Sequence, residues 1–118
     1  IQFKSIKEME DINALELLKE ELETDEIHLK VNVIHRLKTI ILSIGNEETT
    51  KKLYPFLESL IEKEDDEVLF AIAEELGKVW ELLPDKTTFL PLLEQLAKSD
   101  ETVVREQATK SLTTISKS

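Results

Sequence analysis

Carboxylates supply most of the chemistry this chain could perform, and they gather at three places. Asp25 stands beside Glu26, the run from Glu62 to Glu67 is acidic except at Lys63, and Asp100 is followed by Glu101. Grouped carboxylates can hold calcium, cap a helix or meet a basic partner. The run at Glu62 lacks the alternating acids and central glycine of an EF-hand loop, so calcium is not expected. His28 and His35 are the only imidazoles. On a helix they would share nearly one face but lie about 10 Å apart along it, at ~1.5 Å per residue. Without cysteine or a third histidine a zinc ion has too few ligands, and surface or rim histidines are expected. Serines and threonines have no histidine and acid at a recognisable spacing, and the lone glycines Gly45 and Gly77 make no phosphate loop. The expectation is therefore no catalytic residue, no cofactor, no metal and no enzymatic activity.

The acidic groups recur within a longer pattern. Asp25, Lys30, Val33, Leu37 and Ile40 match Asp65, Phe70, Ala73, Gly77 and Trp80, then Asp100, Arg105, Ala108, Leu112 and Ile115. The copies start 40 and then 35 residues apart. An acidic turn followed by a helix, repeating every 35 to 47 residues or so, is the sequence form of HEAT and armadillo arrays of paired helices. The predicted fold is all-α, a superhelical solenoid of three antiparallel helical pairs stacked on their neighbours. Repeat 1 spans about 11–45, repeat 2 about 46–83 and repeat 3 about 85–118. The chain starts at Ile1 and ends soon after the third copy, so it is expected to be a fragment of a longer array.

Within each repeat a helix A precedes a helix B. A1 is predicted over Asp11 to Glu23, with Ile12, Leu15, Leu18 and Leu22 inward. B1 should run unbroken from Asp25 to Ile44, its stripe being Leu29, Val33, Leu37, Ile40 and Ile44, closed by Gly45, with Asn46 able to cap the next helix. A2 covers Glu47 to Lys63, buries Leu53, Phe56, Leu57, Leu60 and Ile61, and should bend at Pro55. B2 runs from Asp66 to Leu83, with Leu69, Ile72, Ala73, Leu76 and Trp80 inward. Pro84 ends it, and Asp85 is a candidate cap for A3, which carries Phe89, Leu90, Pro91, Leu93 and Leu96. B3 extends from Ser99 or Asp100 to Ser116, burying Val104, Ala108, Leu112 and Ile115. Small residues at the shared position of Val33, Ala73 and Ala108 should let helices approach closely. Gly77, unfavourable in a helix by about 1 kcal/mol, should mark tight packing against Trp80 or a neighbouring helix.

Composition narrows the partners. Of 118 residues, 41% are hydrophobic and 34% charged, enough for a folded chain with solvated helix faces. The net charge of −10 opposes nucleic acid and anionic membranes, and lysines and arginines are scattered rather than striped. No apolar run reaches the length of a membrane span, and no signal peptide is visible. The absence of cysteine fits a cytoplasmic or nuclear location.

The acidic turns have two readings at this stage. Carboxylates at helix starts satisfy free N–H groups and complement the dipole, yet one or two would suffice. The surplus also fits an aligned ridge facing a basic partner.

A resemblance bears on that choice. The string from Leu53 through Pro55-Phe56-Leu57-Glu58-Ser59-Leu60 to Ala73-Glu74-Glu75-Leu76-Gly77 closely resembles the amino-terminal HEAT repeats of the scaffold (A) subunit of protein phosphatase type 2A. So does Leu92 to Leu112, with Asp100-Glu101-Thr102-Val103-Val104-Arg105, and Leu29 to Gly45 is similar too. The resemblance implies a non-catalytic scaffold whose amino-terminal repeats dock B-type regulatory subunits through intra-repeat turns. The catalytic phosphatase subunit would be held by repeats absent from this chain. Carried over by position, the docking ridge comprises Glu64, Asp65, Asp66, Glu67, Asp100, Glu101 and Arg105, with Asp25, Glu26 and Lys30 from the first turn. Arg105 is expected to pair with Glu101 at i,i+4 spacing. The sequence departs from the family pattern at Ile1 to Asp11 and at Leu82 to Thr88. The alternative is another HEAT interaction module, of the tubulin-binding or transport-receptor type. Tubulin is itself acidic, which fits these turns poorly.

Overall fold

The computed structural model describes residues 15–84 and 86–116. Helix α1 occupies 15–21, followed by α2 (Ile27–Ile34), α3 (Leu37–Glu48), a π turn (Thr49–Leu53) and α4 (Tyr54–Lys63). Then come α5 (Asp66–Lys78), a 3₁₀ turn (Trp80–Leu82), α6 (Lys86–Leu96) and α7 (Thr102–Ser116). No strand occurs among the described residues. The expectations for Ile12 and for capping by Asp85 lie outside them.

Two layers result. The B layer stacks α2 and α3 on α5 and α5 on α7, while α4 packs on α6 in the A layer. The molecule is a slab with extents of 52 × 35 × 18 Å, its thinnest dimension close to two helix diameters at about 10 Å each. One apolar cluster runs through the slab from Leu15 to Ala108. Val33, Ala73 and Ala108, the small residues at the shared position, are all buried there, as is Trp80. In the A layer, Tyr54 meets the fully buried Phe89 edge-on, with ring centroids 5.3 Å apart. Burial raises the Tyr54 phenol above its ordinary pKa, helped by the charge of Glu58 and a hydrogen bond to it.

Helix B1 departs from the expected single rod. A turn at His35 and Arg36 separates α2 from α3, with Arg36 at φ −93°, ψ 10°. A stripe drawn through Leu29, Val33 and Leu37 presumes one straight helix. With the break, Val33 and Ile34 face the core and Leu29 is 44% exposed. The start of α3 is tied to α1 by Arg36 and Glu21 at 2.7 Å. Phe56, Leu69, Leu90, Leu112 and Ile115 are half-buried rather than inside, packed on the rim of the cluster.

Three punctuating residues act as their chemistry requires. Gly45 has φ 82°, ψ 175°, and a Cβ there would meet nothing, so backbone conformation rather than space calls for glycine. Thr49 donates its hydroxyl to the Gly45 carbonyl at 2.6 Å, holding the chain as it turns into the next helix. Pro55 sits at the start of α4, where its missing N–H is tolerated, and the strain is absorbed upstream by the π turn, closed by Tyr54 N–H to the Thr49 carbonyl. Leu83, preceding Pro84, is extended at φ −72°, ψ 133°, which ends B2. Gly77 is tight against Ser111 of α7, a neighbouring helix, and not against Trp80.

Candidate functional site

Because the B helices stack side by side, their first turns form one edge of the slab. There the carboxylates can be compared with the capping role proposed for them. Glu26 and Asp65 occupy the N-cap positions of α2 and α5 in extended conformation, yet neither side chain makes a cap hydrogen bond. In the first and third turns hydroxyls do the local bonding instead. The Glu26 N–H donates to Thr24 Oγ1 and the Glu101 N–H to Ser99 Oγ, each at 3.2 Å. Asp66 and Glu67 lie in the first turn of α5, where their charge complements the dipole. Asp25, Glu26, Asp65, Asp66, Glu67, Asp100 and Glu101 are all exposed.

Glu64, Lys30 and Arg105 behave differently. Lys30 Nζ lies 2.9 Å from Glu64 Oε1, joining repeat 1 to repeat 2, and both side chains are largely buried, at 13% and 7% exposure. The hydrogen bond from Lys30 to Glu64 raises the lysine pKa above its ordinary value, against the opposing effect of burial and with help from the charges of Glu64, Asp65 and Asp25. Glu64 is thus neutralised within the fold. Arg105 does not form the expected pair with Glu101. Its guanidinium donates to the Ser99 carbonyl at 3.0 Å and to Thr102 Oγ1 at 3.3 Å, clamping the third turn. Glu101 has no ion pair among the described residues and is left to face outward.

Beside this edge runs a groove of about 800 Å³ that crosses all three B helices. Ile27, Val31, Phe70 and Val103 give it apolar walls, and Asp66, Glu67 and Glu101 stand along it. Ile27 and Val103 are 36% and 55% exposed. Sequence reasoning did not single out these apolar residues. Their signal was an apolar side chain directly after an acidic turn and off the buried stripe, as in Val103 beside Val104. The groove also contains His28 and His35. His28 is a surface residue, 3.5 Å from Glu26. His35, by contrast, reaches Glu75 of α5, Nδ1 to Oε2 at 2.9 Å, and Glu74 lies nearby, so these three residues are the ones that could hold a metal. The buried hydroxyl of Ser111 donates to the Ala73 carbonyl at 2.9 Å, a packing role rather than a nucleophilic one.

An edge of turns above stacked helical pairs is the architecture of a repeat array, and the pattern of HEAT repeats matches residues 15–113. The chain belongs to the HEAT-repeat family. This HEAT chain is 39% identical to the regulatory scaffold-type subunit of protein phosphatase PP2A from Saccharomyces cerevisiae, over 90% of its own length and 17% of the yeast protein. It is 40% identical to the serine/threonine-protein phosphatase PP2A 65 kDa regulatory subunit of Drosophila melanogaster, covering 94% of the chain and 19% of the relative. Against the human beta isoform of the serine/threonine-protein phosphatase 2A 65 kDa regulatory subunit the identity is 42%, with 91% and 18% covered. The HEAT chain therefore spans less than one fifth of the length of these relatives.

Proposed function

We propose that the chain serves as part of a non-catalytic scaffold in a protein serine/threonine phosphatase complex, where the edge formed by its intra-repeat turns docks a B-type regulatory subunit. The observation that carries this reading is the unused charge of the turns. Carboxylates that neither cap a helix nor pair internally stand along an apolar groove, an arrangement suited to a partner with basic residues around an apolar contact. The similarity to phosphatase regulatory subunits supplies the identity of that partner. In this reading the three repeats, about 11–45, 46–83 and 85–118, are amino-terminal ones, and the catalytic subunit is held by repeats outside this chain. The setting is cytoplasmic, with the nucleus also open, and nucleic acid and membrane are not partners.

The apolar groove together with exposed acids also describes HEAT modules that bind other proteins, but an acidic target such as tubulin would be repelled. The deciding experiment is affinity purification of the full-length protein containing this chain. Recovery of both catalytic and regulatory phosphatase subunits supports the proposal. Recovery of the intact protein with neither would overturn it.

A further inference from the structure

We propose that His35, Glu74 and Glu75 form a divalent-cation site, suited to zinc, that ties the first B helix to the second. Their three donor atoms lie within 4.8 Å of one another. A zinc ion bound by imidazole and carboxylate has ligand distances near 2.0–2.2 Å, so its donors sit roughly 3–3.5 Å apart, and side-chain rotation alone can close the remaining gap.

Two features set this cluster apart from an ordinary surface acid pair. Glu75 is buried, with its side chain 5% exposed, and a buried carboxylate needs strong compensation. It receives His35 at 2.9 Å, but its one formal cation, Lys78, stands at a long 3.5 Å and is itself 61% exposed. Glu74 brings a second carboxylate to the same place. With His35 neutral, two negative charges face one distant ammonium, and a divalent ion would supply the missing charge. Histidine and carboxylate together favour a borderline metal such as zinc over calcium or magnesium, which take oxygen ligands. His35 is 40% exposed, so an ion can enter from solvent and keep water as a fourth ligand. The site lies where B1 breaks at His35 and Arg36, so the ion would pin that break to α5.

Lys78 acts here as a built-in competitor, which gives the test its discriminating arm. Zinc is titrated into the metal-free protein by calorimetry, and thermal unfolding is followed with and without zinc and after a chelator. The expected result is saturable uptake of one ion, with a rise in Tm that the chelator reverses. His35→Ala and Glu74→Gln, both at accessible positions, should lose this uptake while keeping the far-UV circular dichroism of the wild type. Glu75→Gln should lose it too, and His28→Ala should retain it. Lys78→Gln should bind zinc several-fold more tightly, because the competing cation is gone. Absence of saturable uptake, equal uptake by His35→Ala, or no tightening in Lys78→Gln would each overturn the proposal.

Discussion

Ser111 of α7 lies against Gly77 of α5 so closely that a Cβ on the glycine would stand 2.7 Å from the serine Oγ and 2.9 Å from its Cβ. The Ser111 Cβ is anchored to the backbone of its helix, so rotation of the hydroxyl relieves only half of the conflict. Gly77→Ala gains up to about 1 kcal/mol of helix propensity and meets an overpacking cost of about 1–3 kcal/mol. Net destabilisation is expected in urea denaturation. The penalty should shrink when Ser111→Gly is added, because the two residues share one contact and their effects are not additive.

The Lys30–Glu64 pair should also be measurable as stability. Lys30→Met leaves a largely buried carboxylate without its partner, at a cost of about 1–3 kcal/mol. Replacing both residues by apolar ones of similar size should cost less than the single change. The pH dependence follows from the direction of the lysine shift. Its folded pKa is raised above the ordinary 10.5, so the pair's contribution is complete below that value and is lost as pH rises through the folded pKa. Denaturation of wild type and Lys30→Met should therefore converge at strongly alkaline pH. Lys51, Lys52 and Tyr54 also titrate there, and the difference between the two proteins cancels them.

Charge reversal at Glu67 and Glu101 separates docking from folding. Both are exposed, so Glu67→Lys and Glu101→Lys should each change stability by no more than about 0.5–1 kcal/mol through loss of the favourable dipole term. Affinity of the full-length double variant for a regulatory subunit should fall by about tenfold at low salt, with a smaller loss at high salt as screening grows. Unchanged affinity with an intact thermal melt would exclude these carboxylates from the docking surface.

The apolar part of the groove makes a separate prediction. Val103 is 55% exposed near the start of α7, a place where serine is well tolerated, so Val103→Ser should leave Tm nearly unchanged. If a partner covers that side chain, the loss of buried apolar area should weaken binding by about fivefold, and with little dependence on salt. The contrast in salt response between this variant and the charge reversals distinguishes the two halves of the surface in one binding assay.

Local chemistry made much of this molecule readable from sequence. Apolar spacing marked helices, Gly45 and Pro84 marked where they stop, and small residues at Val33, Ala73 and Ala108 marked where they pack. The acidic turns could be aligned because each begins a repeat. Those features depend on residues within a few positions of each other, which is what periodicity records. The break at His35 and Arg36 carried no proline or glycine, so the sequence offered no reason to divide B1, and the exposure of Leu29 followed from that division.

Which charged atoms meet was decided by the stacking of one B helix on the next. Lys30 finds Glu64 and His35 finds Glu75 across 34 and 40 residues of chain, and no local pattern joins either pair. The same stacking brought Ile27, Phe70 and Val103 from three repeats to one groove and pressed Gly77 against Ser111. Arg105 illustrates the remaining ambiguity: i,i+4 spacing allowed a bond to Glu101, but the third turn presented the Ser99 carbonyl and Thr102 hydroxyl to the same guanidinium. Sequence alone determined the repeating helices and their acidic starts, because those arise from neighbours along the chain. Tertiary structure decided which of the acids were neutralised, which remained available and what apolar surface lay beside them, because those depend on how neighbouring repeats are set against each other in space.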